Sequence, residues 1–250
     1  MTRWFLAAAV LCSAFPAALW ASAPAQQRFR EAADLARSGD YPKALAVYRE
    51  QAVSGQESAS LYWNWAQAAA ARGAQGEALW ALLRARELSP GDGAVSREIA
   101  RLREGLNLDA AEVSPEPLAA LGRFSRRFHL GTLGLLAAAF SLAFHLLGRL
   151  TPTRRWPFSV AAASLTLCLL LTALPLAAAW ARPTAVVLRR GAPLLDAASA
   201  TAQQLAALRE GEVAPVLETS QGFLRIEDSS GARGWTAVED LRRLDRPPGP

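Results

Sequence analysis

The side chains that most often perform catalysis or hold metals are few and scattered in this sequence. Its two histidines are His129 and His145, and its two cysteines are Cys12 and Cys168. They do not form the closely spaced Cys/His cluster of a metal site, and no Gly-x-Gly-x-x-Gly segment is present to hold a nucleotide phosphate. A catalytic site would have to use carboxylates or hydroxyls alone. The sequence therefore predicts a protein that is not an enzyme and that uses no metal or cofactor.

The composition excludes further classes of protein. Hydrophobic residues make up 52% of the 250 residues and charged residues 20%, so the chain has ample apolar surface to bury and is not predicted to be disordered. Two cysteines within apolar runs do not make a disulfide scaffold. The net charge is +5, and much of the excess lies in residues 149–156, which hold Arg149, Arg154 and Arg155. A nucleic-acid-binding domain would show a basic face on a folded domain, so we expect no nucleic-acid partner.

Two long uncharged segments flank this basic loop. Residues 130–148 and 157–180 contain no Asp, Glu, Lys or Arg, and about 20 apolar residues in a helix cross a bilayer. We therefore predict two transmembrane helices that form an antiparallel hairpin around the loop 149–156. Arginines in a short loop favour the cytoplasmic side, which places the regions before and after the hairpin outside. Arginines also lie within 123–127 and 182–190, and these favour the opposite orientation.

The first 23 residues have the order of a secretory signal peptide. Arg3 precedes an apolar run from Phe5 to Trp20, and an Ala-Ser-Ala segment ends at Ala23. A charged start, an apolar middle and small residues at the end are the features of a cleaved signal. We predict cleavage after Ala23, with an uncleaved signal anchor as the alternative because the apolar run is long.

Residues 24–106 have the composition of helices and repeat with a period of 34 residues. Small or apolar residues recur at this spacing: Ala32 and Ala66, Gly39 and Gly73, Ala44 and Ala78, Leu45 and Leu79. The period resembles the tetratricopeptide repeat, with units near 28–58 and 61–91 and a cap at 93–106. The first unit matches the repeat pattern less well than the second. The matching residues of the second unit are Tyr62, Trp65, Ala66, Ala78, Leu82, Ala85 and Pro90.

Repeat arrays of this type bind partner peptides on a concave surface formed by the first helix of each repeat. The residues expected to line that surface are Phe29, Ala33, Trp63, Gln67, Arg97 and Arg101. An indole with two guanidinium groups nearby could hold an extended segment that ends in a carboxylate or carries acidic residues. In the alternative, Trp63 packs against a neighbouring helix and the arginines are solvated.

The remaining segments are predicted to be a linker, a β domain and a tail. Residues 107–129 contain two prolines and are predicted to be a linker. Residues 181–245 contain short β-like segments separated by turns, which predict a small β-barrel similar to bacterial SH3-like domains. Within it, residues 190–204 are expected to form a variable loop. Residues 246–250 are rich in Pro and Gly and are predicted to be disordered.

A ligand groove on this β domain would have two aromatic residues, Phe223 and Trp235. SH3 domains that bind polyproline use several aromatic residues, so polyproline is not the expected ligand. In a barrel of this type, a tryptophan at the position of Trp235 is more often a core residue than a groove residue.

The order of these parts resembles the BatE family, the tetratricopeptide–SH3 membrane proteins of the bacterial aerotolerance (Bat) group. The predicted fold is multidomain: an all-α tetratricopeptide helical repeat domain, an α-helical transmembrane hairpin and a small all-β SH3-like barrel. The resemblance implies a non-enzymatic scaffold that serves envelope integrity or oxidative-stress tolerance. The predicted location is the bacterial inner membrane, and the signal peptide and the loop arginines predict both soluble domains on the periplasmic side. The implied partners are von Willebrand A-domain membrane proteins and a MoxR-type AAA+ ATPase. The alternative function is a module that binds or senses peptidoglycan through the SH3-like domain.

Overall fold

The computed structural model of the chain describes residues 23–114, 117–150 and 156–247. The predicted signal peptide, apart from its last residue, lies outside the described residues. The same holds for two of the three arginines in the predicted cytoplasmic loop and for the last three residues of the predicted tail.

The chain divides into two compact units, one ending at Glu57 and one spanning Ser58–Arg246. The boundary falls between the two predicted repeat units. Helices account for most of the described residues up to residue 178. In chain order they are α1 (Ala23–Arg37), α2 (Tyr41–Val53), α3 (Ala59–Ala71), α4 (Gln75–Leu88), α5 (Gly93–Gly105), α6 (Ala110–Val113), α7 (Pro117–Arg127), α8 (Leu130–Leu150) and α9 (Trp156–Ala178).

The first unit contains a pair of helices, α1 and α2, joined by a tight turn. Gly39 in this turn has a φ of +85°, which glycine adopts at little cost. Asp40 then caps α2 by accepting a hydrogen bond from the backbone N–H of Lys43. Between the two helices, the rings of Phe29 and Tyr48 lie 6.3 Å apart at their centroids. Turn and capping residues that are local in sequence therefore account for this helix pair.

Helices α3 and α4 form a second pair of the same kind. Gly73 has the same φ of +85° as Gly39, and α4 begins at Gln75, which is 34 residues after the first residue of α2, Tyr41. The small and apolar residues of the period are buried in both copies: Ala32 and Ala66, Ala44 and Ala78, Leu45 and Leu79. The sequence period therefore corresponds to two helix pairs with the same turn.

The segment predicted to be a linker, residues 107–129, contains two helices instead. Asp109 and Glu112 form a capping box at the start of α6, in which the Asp109 N–H donates to a Glu112 carboxylate oxygen at 2.6 Å. Pro117 is the first residue of α7, a position where proline fits a helix without loss of a hydrogen bond. This proline therefore marks a helix start and not an extended linker.

Helices α8 and α9 coincide closely with the predicted membrane-spanning segments and pack antiparallel. A Cβ atom at Gly134 would lie 2.8 Å from Thr172 Cγ2, and one at Gly148 would lie 2.8 Å from Phe158 Cζ. Gly148 follows Gly134 on α8, whereas its neighbour Phe158 precedes Thr172 on α9. The two helices therefore run in opposite directions. Both helices are long and apolar enough to cross a membrane. In each, only 11% of an apolar stretch of 18 residues is buried. This exposure distinguishes them from core helices of a soluble protein.

The part of the second unit that follows α9 is an antiparallel sheet of seven strands in the order β3-β2-β6-β5-β4-β1-β7. The strands are β1 (Thr184–Val187), β2 (Ala192–Leu195), β3 (Gln204–Leu208), β4 (Val213–Ser220), β5 (Phe223–Glu227), β6 (Arg233–Ala237) and β7 (Leu241–Arg243). The region predicted as a variable loop, 190–204, thus contains β2 and the start of β3. The sheet is open, with β3 and β7 at its edges, so the predicted closed barrel is not formed. On the β7 edge, the Arg243 carbonyl accepts a hydrogen bond from the Trp80 indole of α4.

One face of the sheet carries the apolar core. On β5, buried Leu224 and Ile226 alternate with half-buried Phe223 and exposed Arg225, as expected for a strand with one buried face. The buried core residues of the sheet are Ala185, Val187, Ala192, Leu194, Leu208, Ala214, Val216, Leu224, Ile226 and Leu241. Phe223 therefore lies on the face opposite the core.

Candidate functional site

Helix α4 packs on the sheet within the second unit, and this junction joins residues that are far apart in sequence. Every residue of α4 from Gly76 to Ala85 is buried. Gly76 permits the close approach, because a Cβ there would lie 2.6 Å from the Val187 carbonyl oxygen and 2.7 Å from that of Leu188. A larger residue at this position would push α4 away from β1.

The sheet region supplies the cap at the start of α4. The N-cap residue of this helix, Ala74, has no side-chain hydrogen bond to offer. The backbone N–H of Gly76 instead donates to Glu210 Oε1 at 2.7 Å. A carboxylate in this position satisfies a free N–H group and interacts favourably with the helix dipole. The first turn of α4 is therefore stabilised by a residue that follows the apolar helix pair in the chain.

A buried charge network connects α4 to the last strand. Glu77 accepts hydrogen bonds from Arg242 on β7 at 2.8 Å and from Arg72 at 2.8 Å. The Trp65 indole also donates to Glu77 Oε1 at 3.1 Å. The Arg242 guanidinium lies over Trp80, with its Cζ atom 4.8 Å from the ring centroid. These partners offset the loss of water around the buried ion pair.

This environment favours the ionised form of Glu77. Burial alone would raise the pKa of its carboxyl group, but the hydrogen bond and charge of Arg242, with smaller contributions from Trp65 and Arg72, lower the pKa below its ordinary value. The residue is only 6% exposed. Glu77 is therefore an ionised carboxylate enclosed by protein donors, which link α4 to β7.

The segment that ends the sheet also docks on α4 through its backbone. The Trp80 indole N–H donates to the Arg243 carbonyl at 2.9 Å, and Arg84 Nη1 donates to the Leu244 carbonyl at 2.6 Å. Helix α4 therefore holds an extended segment of the same chain by its main-chain oxygens. This side of α4 is occupied and is not a free binding surface.

The six residues predicted to line a repeat groove fall in both units. Phe29 and Ala33 lie on α1 of the first unit, and both are half-buried. The other four lie on α3 and α5 of the second unit: half-buried Trp63 and exposed Gln67, Arg97 and Arg101. In the described part of the chain, neither arginine lies over the Trp63 ring.

The structure brings two of these groove residues together through Glu98. Arg101 forms a two-pronged ion pair with Glu98, with Nε 3.0 Å from Oε2, and Gln67 also forms a hydrogen bond with this carboxylate. The hydrogen bond from Arg101 lowers the pKa of Glu98, against the opposing effect of partial burial. Arg101 is therefore already paired, whereas Arg97 has no ion pair with any described residue.

Phe223 and Trp235, the aromatic residues predicted for a groove on the β domain, lie on the same face of the sheet. Arg225 of β5 stands opposite Trp235 of β6, and Phe223 is two residues before Arg225 on its strand. Because side chains alternate along a strand, all three share the face opposite the core. Trp235 is half-buried on this outer face and is not among the buried core residues of the sheet.

The sequence patterns do not identify the junction residues Glu77, Glu210 and Arg242. One signal was present, since Glu77 stands in a largely apolar stretch of α4. Its partner Arg242 lies 165 residues later, and no local feature distinguishes that arginine from its neighbours. Only the fold shows that the two form a pair.

Across the described ranges, no group of three or more His, Cys, Asp or Glu residues is placed to hold a metal ion. No protein family model, curated protein or solved structure matches this chain. The features that bear on function are therefore the junction of α4 with the sheet and the apolar helix pair α8 and α9. Two surfaces also bear on function, one around Trp63 and Arg97 on α3 and α5 and one around Phe223 and Trp235 on the sheet.

Proposed function

We propose that this chain is a non-enzymatic, membrane-anchored scaffold protein that docks protein partners in the bacterial envelope. Helices α8 and α9 cross the inner membrane as a hairpin. Helices α1 to α5 act as tetratricopeptide-like repeats and the sheet as an SH3-like domain. The role corresponds to the adaptor function implied by the resemblance to the BatE family, with von Willebrand A-domain membrane proteins and a MoxR-type ATPase as partners.

The observation that carries the proposal is the contact between α4 and the sheet. These elements precede and follow the apolar hairpin in the chain, yet Trp80 donates directly to the Arg243 carbonyl. Both must therefore lie on the same side of any membrane that α8 and α9 cross, as an antiparallel hairpin requires. A scaffold has to hold its partners in a fixed arrangement, and coupling two binding regions next to one anchor suits that task.

The proposed binding surface of the helical region lies on α3 and α5, around Trp63 and Arg97. Helix α4 does not contribute, because its residues from Gly76 to Ala85 are buried. An acidic partner segment would pair with the Arg97 guanidinium while its apolar side chains pack on the Trp63 ring.

Photo-crosslinking in intact cells tests this surface. A photoreactive amino acid replaces Gln67, which lies one helical turn from Trp63, or Gln203, an exposed residue of the β domain, as the control. We expect the first position to capture a von Willebrand A-domain protein or a MoxR-type ATPase, identified by mass spectrometry, and the second to capture neither. Equal capture at both positions would count against a specific surface on α3 and α5.

A matched pair of variants sharpens this experiment. Trp63→Ala combined with Arg97→Gln should lower the crosslink yield at position 67 by about tenfold, because aromatic and arginine side chains contribute much of the energy at protein interfaces. Arg30→Gln changes an exposed charge on α1 and should leave the yield unchanged. If the double variant captures partners as well as the control does, the surface lies elsewhere.

A second candidate function is binding or sensing of peptidoglycan through the β domain. The half-exposed pair Phe223 and Trp235 favours it, because aromatic rings on a flat sheet face can stack on sugar or peptide groups. The detergent-solubilised full chain should then sediment with purified peptidoglycan, and Phe223→Ala with Trp235→Ala should abolish this. Leu205→Ala removes an exposed apolar side chain from β3 and serves as the control. A wild-type chain that stays in the supernatant would exclude this function.

A further inference from the structure

A cavity of about 560 Å³ lies where α4, α7, the end of α9 and the start of the sheet meet. All of these elements belong to the second unit. Its described lining is rich in arginine, with two acidic residues, Glu87 and Asp245. The arginines are Arg84, Arg86, Arg123, Arg126 and Arg182. A concave site with this excess of positive charge suits an anionic ligand.

The two acidic residues of the lining are already engaged. Glu87 binds Arg123, with an N–O distance of 3.2 Å, and also forms an ion pair with Arg126. Asp245 forms an ion pair outside the lining, with Arg243. No ion pair among the described residues involves Arg86 or Arg182. Within the described ranges, two guanidinium groups of the cavity therefore have no carboxylate partner.

Arg86 is the buried arginine of the cavity that has an unsatisfied donor, and the charge of Glu87 offsets its burial only in part. Its Nη2 atom donates to Ser114 Oγ at 3.2 Å, but its Nε–H is buried and has no acceptor in the described structure. Burial, together with the neighbouring charge of Arg123, lowers the pKa of Arg86 to about 10. A buried charge with no ion-pair partner among the described residues is unfavourable, and an anion in the cavity would reduce this cost.

The position of the cavity indicates where its anion comes from. Helix α7 crosses the end of α9 closely, since a Cβ at Gly122 would lie 3.1 Å from that of Ala178. Trp180, just beyond α9, is 79% exposed, as aromatic residues at a membrane surface are. The site therefore lies at the end of an apolar helix, at the level expected for lipid headgroups.

Helix α7 itself is amphipathic in the manner of helices that lie in a membrane surface. The face towards the cavity carries Gly122, Arg123 and Arg126. A separate stripe leaves Leu121 and Phe124 exposed, and this stripe continues to Phe128 just after the helix. Apolar side chains beside a basic face are typical of helices that bind anionic lipid surfaces.

We propose that this cavity binds the phosphate of an anionic phospholipid headgroup, held by Arg86 and Arg182, with the acyl chains along the apolar surfaces of α7 and α9. Free phosphate shares the recognition chemistry, but it would leave the exposed apolar stripe of α7 without a role. The inference rests on the proposed insertion of α8 and α9 in a membrane.

Native mass spectrometry of the detergent-solubilised full chain tests the site with phosphatidylglycerol and phosphatidylcholine as probes. We expect phosphatidylglycerol to be retained about tenfold more than phosphatidylcholine, because two guanidinium groups bind its phosphate without competition from a choline cation. Arg86→Gln with Arg182→Gln should remove the preference. Arg30→Gln with Arg190→Gln removes the same charge from exposed positions outside the cavity and should retain it. Equal retention of both lipids by the wild-type chain would overturn the proposal.

A second variant covers the case in which the arginine variant does not fold. Ser114→Asp places a carboxylate beside Arg86, so it should raise the melting temperature in lipid-free detergent and make phosphatidylglycerol no longer stabilising. Stabilisation by phosphatidylglycerol equal to that of the wild type would contradict the site.

A further arm uses inorganic phosphate. If millimolar phosphate without lipid stabilises the chain as much as phosphatidylglycerol does, the assignment to lipid is wrong. Flotation of the wild-type chain with phosphatidylcholine vesicles measures membrane insertion separately. A chain that floats but shows no lipid preference would refute the headgroup site and leave the membrane anchor intact.

Discussion

The guanidinium of Arg242 lies over the ring of Trp80, with Cζ 4.8 Å from the ring centroid, and its Nη1 atom donates to Glu77 at 2.8 Å. One side chain of the last strand thus contacts both an indole and a carboxylate of α4. The contact joins regions on either side of the apolar hairpin, so residues before α8 and after α9 pack against each other. This cooperation between distant segments leads to predictions that differ from those for independent domains.

Loss of Arg242 should be strongly destabilising. Arg242→Ala leaves Glu77 buried with one fewer cationic partner, and breaking a buried ion pair costs about 3–5 kcal/mol. We expect a clear drop in the melting temperature of the detergent-solubilised chain. Arg225→Ala is the control, because its ion pair with Glu218 is largely exposed and such pairs contribute about 0–1 kcal/mol. Similar losses in the two variants would show that the junction is not a source of stability.

Glu77 should make the stability depend on pH in the acidic range. Its pKa in the folded state lies below the ordinary value of 4.5, so the carboxylate stabilises the fold at neutral pH. This contribution is lost as the pH falls below about 4.5 and through the folded-state pKa. Melting curves from pH 7 to pH 3 should therefore show a shallower decline for Glu77→Gln, which starts from a lower melting temperature. Parallel curves for the two proteins would exclude this role of Glu77.

Gly76→Ala should loosen the junction through a single methyl group. The added Cβ would meet the Val187 carbonyl oxygen at 2.6 Å, so α4 and β1 would have to separate. Gly105→Ala is a matched control, because it adds the same group at the end of α5 with no atom within 4 Å. We expect limited proteolysis to cut between α9 and the sheet faster in the first variant only. Proteolysis at the same rate in both would mean that the close approach at Gly76 is unimportant.

The predictions that succeeded depend on residues close in sequence. The 34-residue period predicted the paired helices because glycine turns at 39 and 73 and small buried residues act locally. The apolar helices were predictable from their length and lack of charge. Strand β3 cannot be recognised from its own residues, Gln-Leu-Ala-Ala-Leu, because these favour helices when judged by composition. Strand β2 was missed because Pro193 within it is unusual for a strand.

The site was less predictable than the fold for a physical reason. Half-buried candidates such as Trp63 and Phe223 could be chosen from a repeat pattern or from aromatic content. The junction depends on pairs such as Glu210 with Gly76, which are separated by 134 residues. Hydrogen bonds between residues so far apart produce no periodic pattern in a single sequence. They follow only when the packing of α4 on the sheet is known.

Close packing in the apolar hairpin should depend on Gly134. A larger residue there would collide with Thr172, since a Cβ would already lie 2.8 Å from its Cγ2 atom. Gly134→Val should therefore lower the melting temperature in detergent. Gly131→Val, on the same helix with no atom within 4 Å of the added Cβ, should have a smaller effect. The reverse order of the two variants would mean that α8 and α9 do not pack as described.

Single-cysteine labelling determines which side of the membrane each region occupies. In a background with Cys12→Ala and Cys168→Ala, cysteine replaces Glu104 on α5, Gln203 before β3 or Leu150 at the end of α8. Because the loop 149–156 carries three arginines, we expect it to face the cytoplasm. A membrane-impermeant maleimide should therefore label positions 104 and 203 in spheroplasts, and position 150 only after permeabilisation. If positions 104 and 203 are both labelled only after permeabilisation, the orientation is reversed. If they label on different sides, Trp80 cannot reach the Arg243 carbonyl in the cell, and the junction itself is refuted.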